Sequence, residues 1–316
     1  MELKKINKKV IMKKKKNFNG HFNVTKQTEH INILLGSDLE LFIDPYNIAN
    51  NSENNIAKKV YLRSKSFLEN LNRTYIVPND RINGLAFLSH LQEANEYGFG
   101  YSKTNKGKGI GPTKAEVIFD SLSNNLFARA GVSITNEAHN VLLLVKGIGP
   151  DNMSDTLANV CRDIFAEFTY QQCLFHGITT SKVEIEYYDS NRNCWMLKDV
   201  NLPSFGGKNI VLVPKFLIGS KRAYTSAYNW FISSNYLSKE ILDGTLKTNT
   251  SKGFINRLKN GTRKVIIKNI NKHFKKPKAE LVDFVKKYNG SLLEFQMHIK
   301  NNFPNITDEQ LLLMLR

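Results

Sequence analysis

The chain has 316 residues, 41% of them hydrophobic and 10% aromatic, with 45 Lys+Arg against 28 Asp+Glu and a formal net charge of +17. This apolar content can bury a sizeable core, so a wholly disordered or fibrous chain is excluded; the length suits about two domains, or one large one with appendages. No run of about 18 apolar residues occurs, so no membrane span is expected.

In chain order, residues 1–30 hold nine Lys and two Glu. No apolar stretch follows the Lys4–Lys16 run, so it reads as a basic disordered arm and not as a secretory signal. Residues 31–35 and 39–43 read as two strands around the turn Gly36-Ser37-Asp38, a hairpin that ends at Asp44-Pro45. Residues 52–72 read as a helix with Ser52 as cap, and 80–97 as a second helix capped by Asp80. A loop rich in Gly and Lys spans 98–112. Ala115 to Leu122 is helical, 140–145 is a short apolar run, and 154–175 is the longest helical pattern. Residues 182–187 alternate and pair with 193–197 across a turn, while 209–213, apolar from Ile210 onward, reads as a central strand. Beyond residue 236 the text turns helical and Lys-rich. Helices are expected over 278–289 and 291–302, and a last one starts at Thr307. The expected fold is α/β or α+β, a mixed sheet core flanked by helices over 31–237, with a small helical basic domain over 238–316.

The charge belongs to the two ends. Residues 239–316 hold sixteen bases and seven acids, whereas 31–238 hold twenty bases and nineteen acids. Lys and Arg placed on phosphates release counterions, so end-loaded basicity suits a polyanion partner. The candidates for nucleic-acid contact are Lys103, Lys106, Lys108 and Lys114 around the Gly-rich loop, and Arg263, Lys264 and Lys268 in the C-terminal block. DNA is expected in preference to RNA. The three cysteines, Cys161, Cys173 and Cys194, include no C-x-x-C pair, which reads as a reduced cytoplasmic protein without a disulfide framework or a cysteine zinc site.

Two tetrapeptides are identical: Gly109-Ile-Gly-Pro112 and Gly147-Ile-Gly-Pro150. The first, continuing as Thr113-Lys114-Ala115, resembles the helix-hairpin-helix DNA-binding element, whose backbone N–H groups meet a phosphate. It departs from that element in the polar segment before Gly109, and the second copy departs in having Met153 where Ala is expected. The loop 98–109 is not a nucleotide phosphate loop, because six residues separate Gly100 from Gly107-Lys108 and Gly109 replaces the required Ser or Thr. No Gly-x-Ser-x-Gly elbow and no paired His motif occur.

The acidic candidates lie at element ends. Asp151 and Asp155 share one face of a helical first turn, where capping is their ordinary role; two converging carboxylates also make a hard-cation site for Mg²⁺ or Mn²⁺. Asp44 would join them as a metal ligand, Glu96 as a further acid, and Lys215 as the catalytic cation at a scissile phosphate. Glu184 and Glu186 read as solvent-facing strand residues, and His176 as a helix C-terminal cation. Residues 41–45, 93–103, 149–155 with Asn159, and 212–215 resemble blocks of uncharacterised prokaryotic phage-defence proteins. The resemblance implies a divergent restriction-endonuclease-like nuclease, although Val213 stands where that fold's signature places an acid before Pro214-Lys215. The function expected is a Mg²⁺-dependent nuclease or nuclease-like effector of antiviral defence. The alternatives are a non-catalytic DNA- or RNA-binding adaptor, or a subunit whose C-terminal helices dock a protein partner.

Overall fold

The charged N-terminal run gives way to packed chain at Phe18. A computed structural model describes residues 16–100, 112–246 and 253–315, and over them the fold is α+β and rich in helix. Asn17 caps a single turn, α1 (Phe18–His21), and Phe18 is fully buried. The arm expected over 1–30 is therefore already packed chain by residue 18.

Residues 31–43 do not fold as the expected hairpin. Only Leu41–Ile43 (β1) is a strand, and Ile31 donates its N–H to Val213 O at 3.1 Å instead. The reason is burial: Ile31, Ile33, Leu34, Leu39, Leu41, Phe42 and Ile43 are all buried, so this stretch threads the core and reaches solvent only around its turn and at Glu40. Asp44 then starts α2 (Pro45–Asn50), accepting the Tyr46 N–H at 2.9 Å, with Pro45 at the first helical position. That is favourable because proline lacks the N–H that would be orphaned there.

Asn54, not Ser52, caps α3 (Asn55–Leu71), which runs on through one wide turn at Asn72–Ile76. Asp80 caps α4 (Arg81–Leu88) as expected, but the helix stops at Leu88, and a separate turn follows at Asn95–Tyr97. Next come α5 (Pro112–Ser123), α6 (Leu126–Arg129) and α7 (Ala138–Leu144), the last formed by the short apolar run. The long helical pattern is two helices, α8 (Pro150–Val160) and α9 (Arg162–His176), divided at Cys161, whose φ of −108° and ψ of 19° interrupt the ladder. Apolar spacing continues across the break, so the pattern alone reads as one helix.

The hairpin β2 (Ser181–Asp189) and β3 (Cys194–Leu202) pairs antiparallel, Glu186 opposite Leu197, as the alternation predicts. Two short strands follow, β4 (Ser204–Phe205) and β5 (Lys208–Asn209). The run 210–213 is buried but is not a strand; Val211 donates to Glu96 O and Leu212 to the Thr169 hydroxyl. β6 (Ile218–Ser220) pairs with β1, Ile43 opposite Ile218. Among the described residues the strands form four separate two-stranded antiparallel ladders and no larger sheet, and the one buried ladder, β1 with β6, lies inside a core that is otherwise mostly helical.

The boundary expected near 238 falls inside continuous helix: α10 (Tyr224–Ile232), wide turns at Ser233–Leu237, and α11 (Ser238–Asp243). Then come the hairpin β7 (Ile255–Arg257) and β8 (Arg263–Val265), α12 (Ile267–Phe274), a turn at Lys278–Glu280, α13 (Leu281–Lys287), α14 (Ser291–Asn302) and α15 (Asp308–Met314). α15 starts on a Thr307–Gln310 capping box. One apolar cluster joins both parts of the chain, from Phe18 and Leu144 to Leu281 and Phe295. Tyr46 of α2 lies 4.4 Å from the Tyr224 ring and 5.9 Å from that of Phe295.

Candidate nucleic-acid interface

From Gly244 to Ala279 the chain carries eleven Lys and Arg and no acid. The hairpin and α12 are built in this stretch. Gly261, at φ +84°, allows the tight turn that joins β7 to β8, a conformation that only glycine adopts cheaply. Gly261 N–H bonds Leu258 O at 2.9 Å, Leu258 N–H bonds Thr262 O at 2.8 Å, and Asn260 Oδ1 accepts the Thr262 N–H at 3.0 Å. This is a three-residue hairpin loop, and Asn260-Gly261 is its sequence signal.

Arg257 stands directly opposite Arg263, and Asn256 opposite Lys264. Like charges facing each other across two strands destabilise the ladder. Arg257, Lys259, Arg263 and Lys264 on the hairpin, and Lys268, Lys272 and Lys275 on or after α12, are all exposed. None of these seven has an ion-pair partner among the described residues. The basic neighbour that is neutralised, Lys276, pairs with Asp283 at 2.9 Å, outside the acid-free stretch.

This surface is tied to the body. Phe254 and Ile270 are buried, and Ile255 and Val265 pack against the main cluster. Asn229 of α10 brackets Lys276, donating to its carbonyl at 2.9 Å and accepting its N–H at 2.7 Å. Lys278 donates to Ile148 O at 2.6 Å, and burial pushes its ammonium down to about 8. Ile148 belongs to the second Gly-Ile-Gly-Pro, which forms the turn between α7 and α8 with Pro150 at the first helical position. That turn thus serves as an anchor for the C-terminal chain. The first copy, through Gly111, lies outside the described residues.

The acidic candidates divide. Asp151 lies in the first turn of α8, and its Oδ1 would be 3.7 Å from a Cβ on Gly100; Asp38 Oδ2 would be 3.4 Å from the same point. Asp155 is one turn further along and Asn159 another, with Asn159 bonding Asp155 O, Gln92 O and Arg162. Glu96 pairs with Arg162 at 2.9 Å. Asp151, Asp155 and Glu96 therefore lie along one seam between α8 and the chain around 92–100. Asp38 was not singled out from the sequence; its neighbour Gly36 drew it into a turn signal.

Asp44 and Lys215 are engaged elsewhere. Asp44 is 4% exposed, accepts the Tyr224 hydroxyl at 2.6 Å and sits 3.7 Å from Arg222. Burial pushes its carboxyl above the ordinary range despite these partners. A Cβ on Gly219 would come 2.3 Å from its Oδ2, so glycine is required there. Lys215 pairs with Asp308 of α15 at 2.7 Å. Among the described residues no group of three or more His, Cys, Asp or Glu is placed to hold a metal ion.

Of the basic candidates, Arg263, Lys264 and Lys268 lie on the exposed basic face above. Lys103, Lys106 and Lys108 lie outside the described residues, and of Lys114 only the backbone, in α5, is described. Glu186 accepts His90 at 2.9 Å, and Trp195 packs on Phe67, Phe87 and Tyr188 as a core anchor. No described helix is long and apolar enough to cross a membrane.

Residues 22–225 match the model of a family described as a domain of unknown function, DUF8370. Neither the curated proteins nor the solved structures contain a match.

Proposed function

This chain belongs to the DUF8370 family, and we propose that it binds nucleic acid, DNA in preference to RNA, through the basic face of β7, β8 and α12. One observation carries this: seven exposed cations on a tied-down hairpin and helix, with Arg257 and Arg263 facing each other, in a stretch without a single acid. A ladder that holds like charges opposite one another is relieved when phosphates come between them. The face lies beyond the matched residues 22–225, so the family domain carries it as an adjoining structure. Strand cleavage does not enter the proposal, because Lys215 is paired with Asp308 and Asp44 is buried against Tyr224.

The test is fluorescence anisotropy with a short labelled duplex at several salt concentrations. If about five of these cations meet phosphates, log K falls by about 4.5 per decade of salt. Arg257→Glu with Arg263→Glu should weaken binding at least about tenfold and flatten that slope, since each lost phosphate contact removes about 0.9 from it. Undiminished binding by the double variant, with an unchanged slope, overturns the proposal.

A further inference from the structure

We propose that the β7–β8 ribbon is a groove-reading arm for B-form duplex DNA, with Leu258 at its tip as the apolar contact to base edges. This rests on the nucleic-acid function above and names its substrate class.

The ribbon has the reach. Its base, Ile255 and Val265, packs on the core, and its tip is Lys259 and Asn260. Four residues of strand extend about 13 Å. The major groove of B-form DNA is about 8.5 Å deep and about 12 Å wide, and admits a two-stranded ribbon. A-form RNA closes this route, because its major groove is deep and too narrow for side chains to read. A single strand offers no groove.

The side chains are distributed as a groove arm requires. Strand alternation puts Arg257 and Arg263 on one face of the ribbon and Leu258 and Lys264 on the other. Leu258 is 47% exposed and covers no core. A large apolar side chain at the end of a charged arm has its natural counterpart in the thymine methyl group of the major groove, while Arg suits the O6 and N7 of guanine. The tip is also pre-folded: three hydrogen bonds close the loop around Gly261, so little ordering is left to be done on binding.

The full-length chain is titrated against four probes: a DNA duplex, the matching single strand, an RNA duplex of the same sequence, and heparin. The DNA duplex should bind at least about tenfold tighter than the RNA duplex, in line with direct groove readout. Leu258→Ala should lower affinity for the DNA duplex at least about fivefold more than affinity for heparin, the size of one lost base contact. Replacing thymine by uracil in the duplex removes the methyl groups, and should weaken the wild type more than Leu258→Ala. Equal binding of DNA and RNA duplexes overturns the groove arm, as does a Leu258→Ala loss that is the same on heparin and duplex. Both results leave the polyanion surface standing; failure to bind heparin and duplex alike removes the surface itself.

Discussion

Asp44 shows how one residue reads differently with and without its surroundings. In sequence it is an acid at a strand end, a place where metal ligands gather. In the structure it caps α2, and the pair Asp44-Pro45 is a helix start: a capping side chain followed by the residue best suited to the first helical position. That signal was legible. Its partners Tyr224 and Arg222 were not, because they come from about 180 residues away and nothing local announces them. The buried histidines carry a consequence of their own. His30 is fully buried between Gln172 and Asn19, and His139 is buried beside Tyr46. Burial holds both down to about 4. The folded state then binds fewer protons than the unfolded chain below pH 6.5, so the stability from neutral His is complete above that value and is lost as pH falls toward about 4. The loss is on the order of 3 kcal/mol for each residue. Urea midpoints should fall steadily between pH 6.5 and 4.5, and His139→Gln should show a shallower slope. A slope identical to the wild type would show that His139 does not contribute.

At the scale of elements, legibility followed periodicity. The β2–β3 hairpin alternates on a partly solvated face and was read correctly with its turn. The run 210–213 has no polar face, so length and burial could not decide between a strand and a single buried thread. The Lys-rich composition beyond residue 236 hides the β7–β8 hairpin behind a helical pattern, although Asn260-Gly261 marks a hairpin loop on its own. Gly261 bears the conformational cost of that loop at φ +84°. Gly261→Ala meets no steric neighbour but must adopt the left-handed region, at a cost of roughly 1 kcal/mol. The hairpin ladder is only three residues per strand, so this loss should appear locally. Hydrogen exchange at the Asn256 and Lys264 amides, the bonded pair inside the ladder, should quicken about fivefold while the global urea midpoint stays within error. An unchanged exchange rate would mean that the loop does not hold the ladder.

At the scale of the whole molecule, the charge partition invited a division near 238 that the packing does not respect. Near-neutral body and basic end differ in composition, but apolar contact, not charge, decides what folds together. Helix runs without interruption from Tyr224 to Asp243 across the proposed boundary. Tyr228 of the body donates to or accepts from Ser291 at 2.8 Å, and its ring lies 5.0 Å from Phe295; Lys278 reaches back to Ile148. Fully buried Leu281, Phe295 and Ile270 belong to the same cluster as Tyr46 and Leu144. Removing residues 239–316 would therefore strip three large side chains from one core, each worth about 2–5 kcal/mol when truncated even to alanine. That sum is comparable with the whole stability of a domain, about 5–15 kcal/mol. The truncated chain is expected to melt without a cooperative transition and to be digested rapidly by trypsin, where the full chain resists. A truncated chain that melts cooperatively near the full-length Tm would restore the two-domain picture. If instead the body fails with the end removed, loss of nucleic-acid binding in that truncation says nothing about the interface. The Arg257→Glu with Arg263→Glu variant, which changes only exposed side chains, is then the one that separates binding from folding.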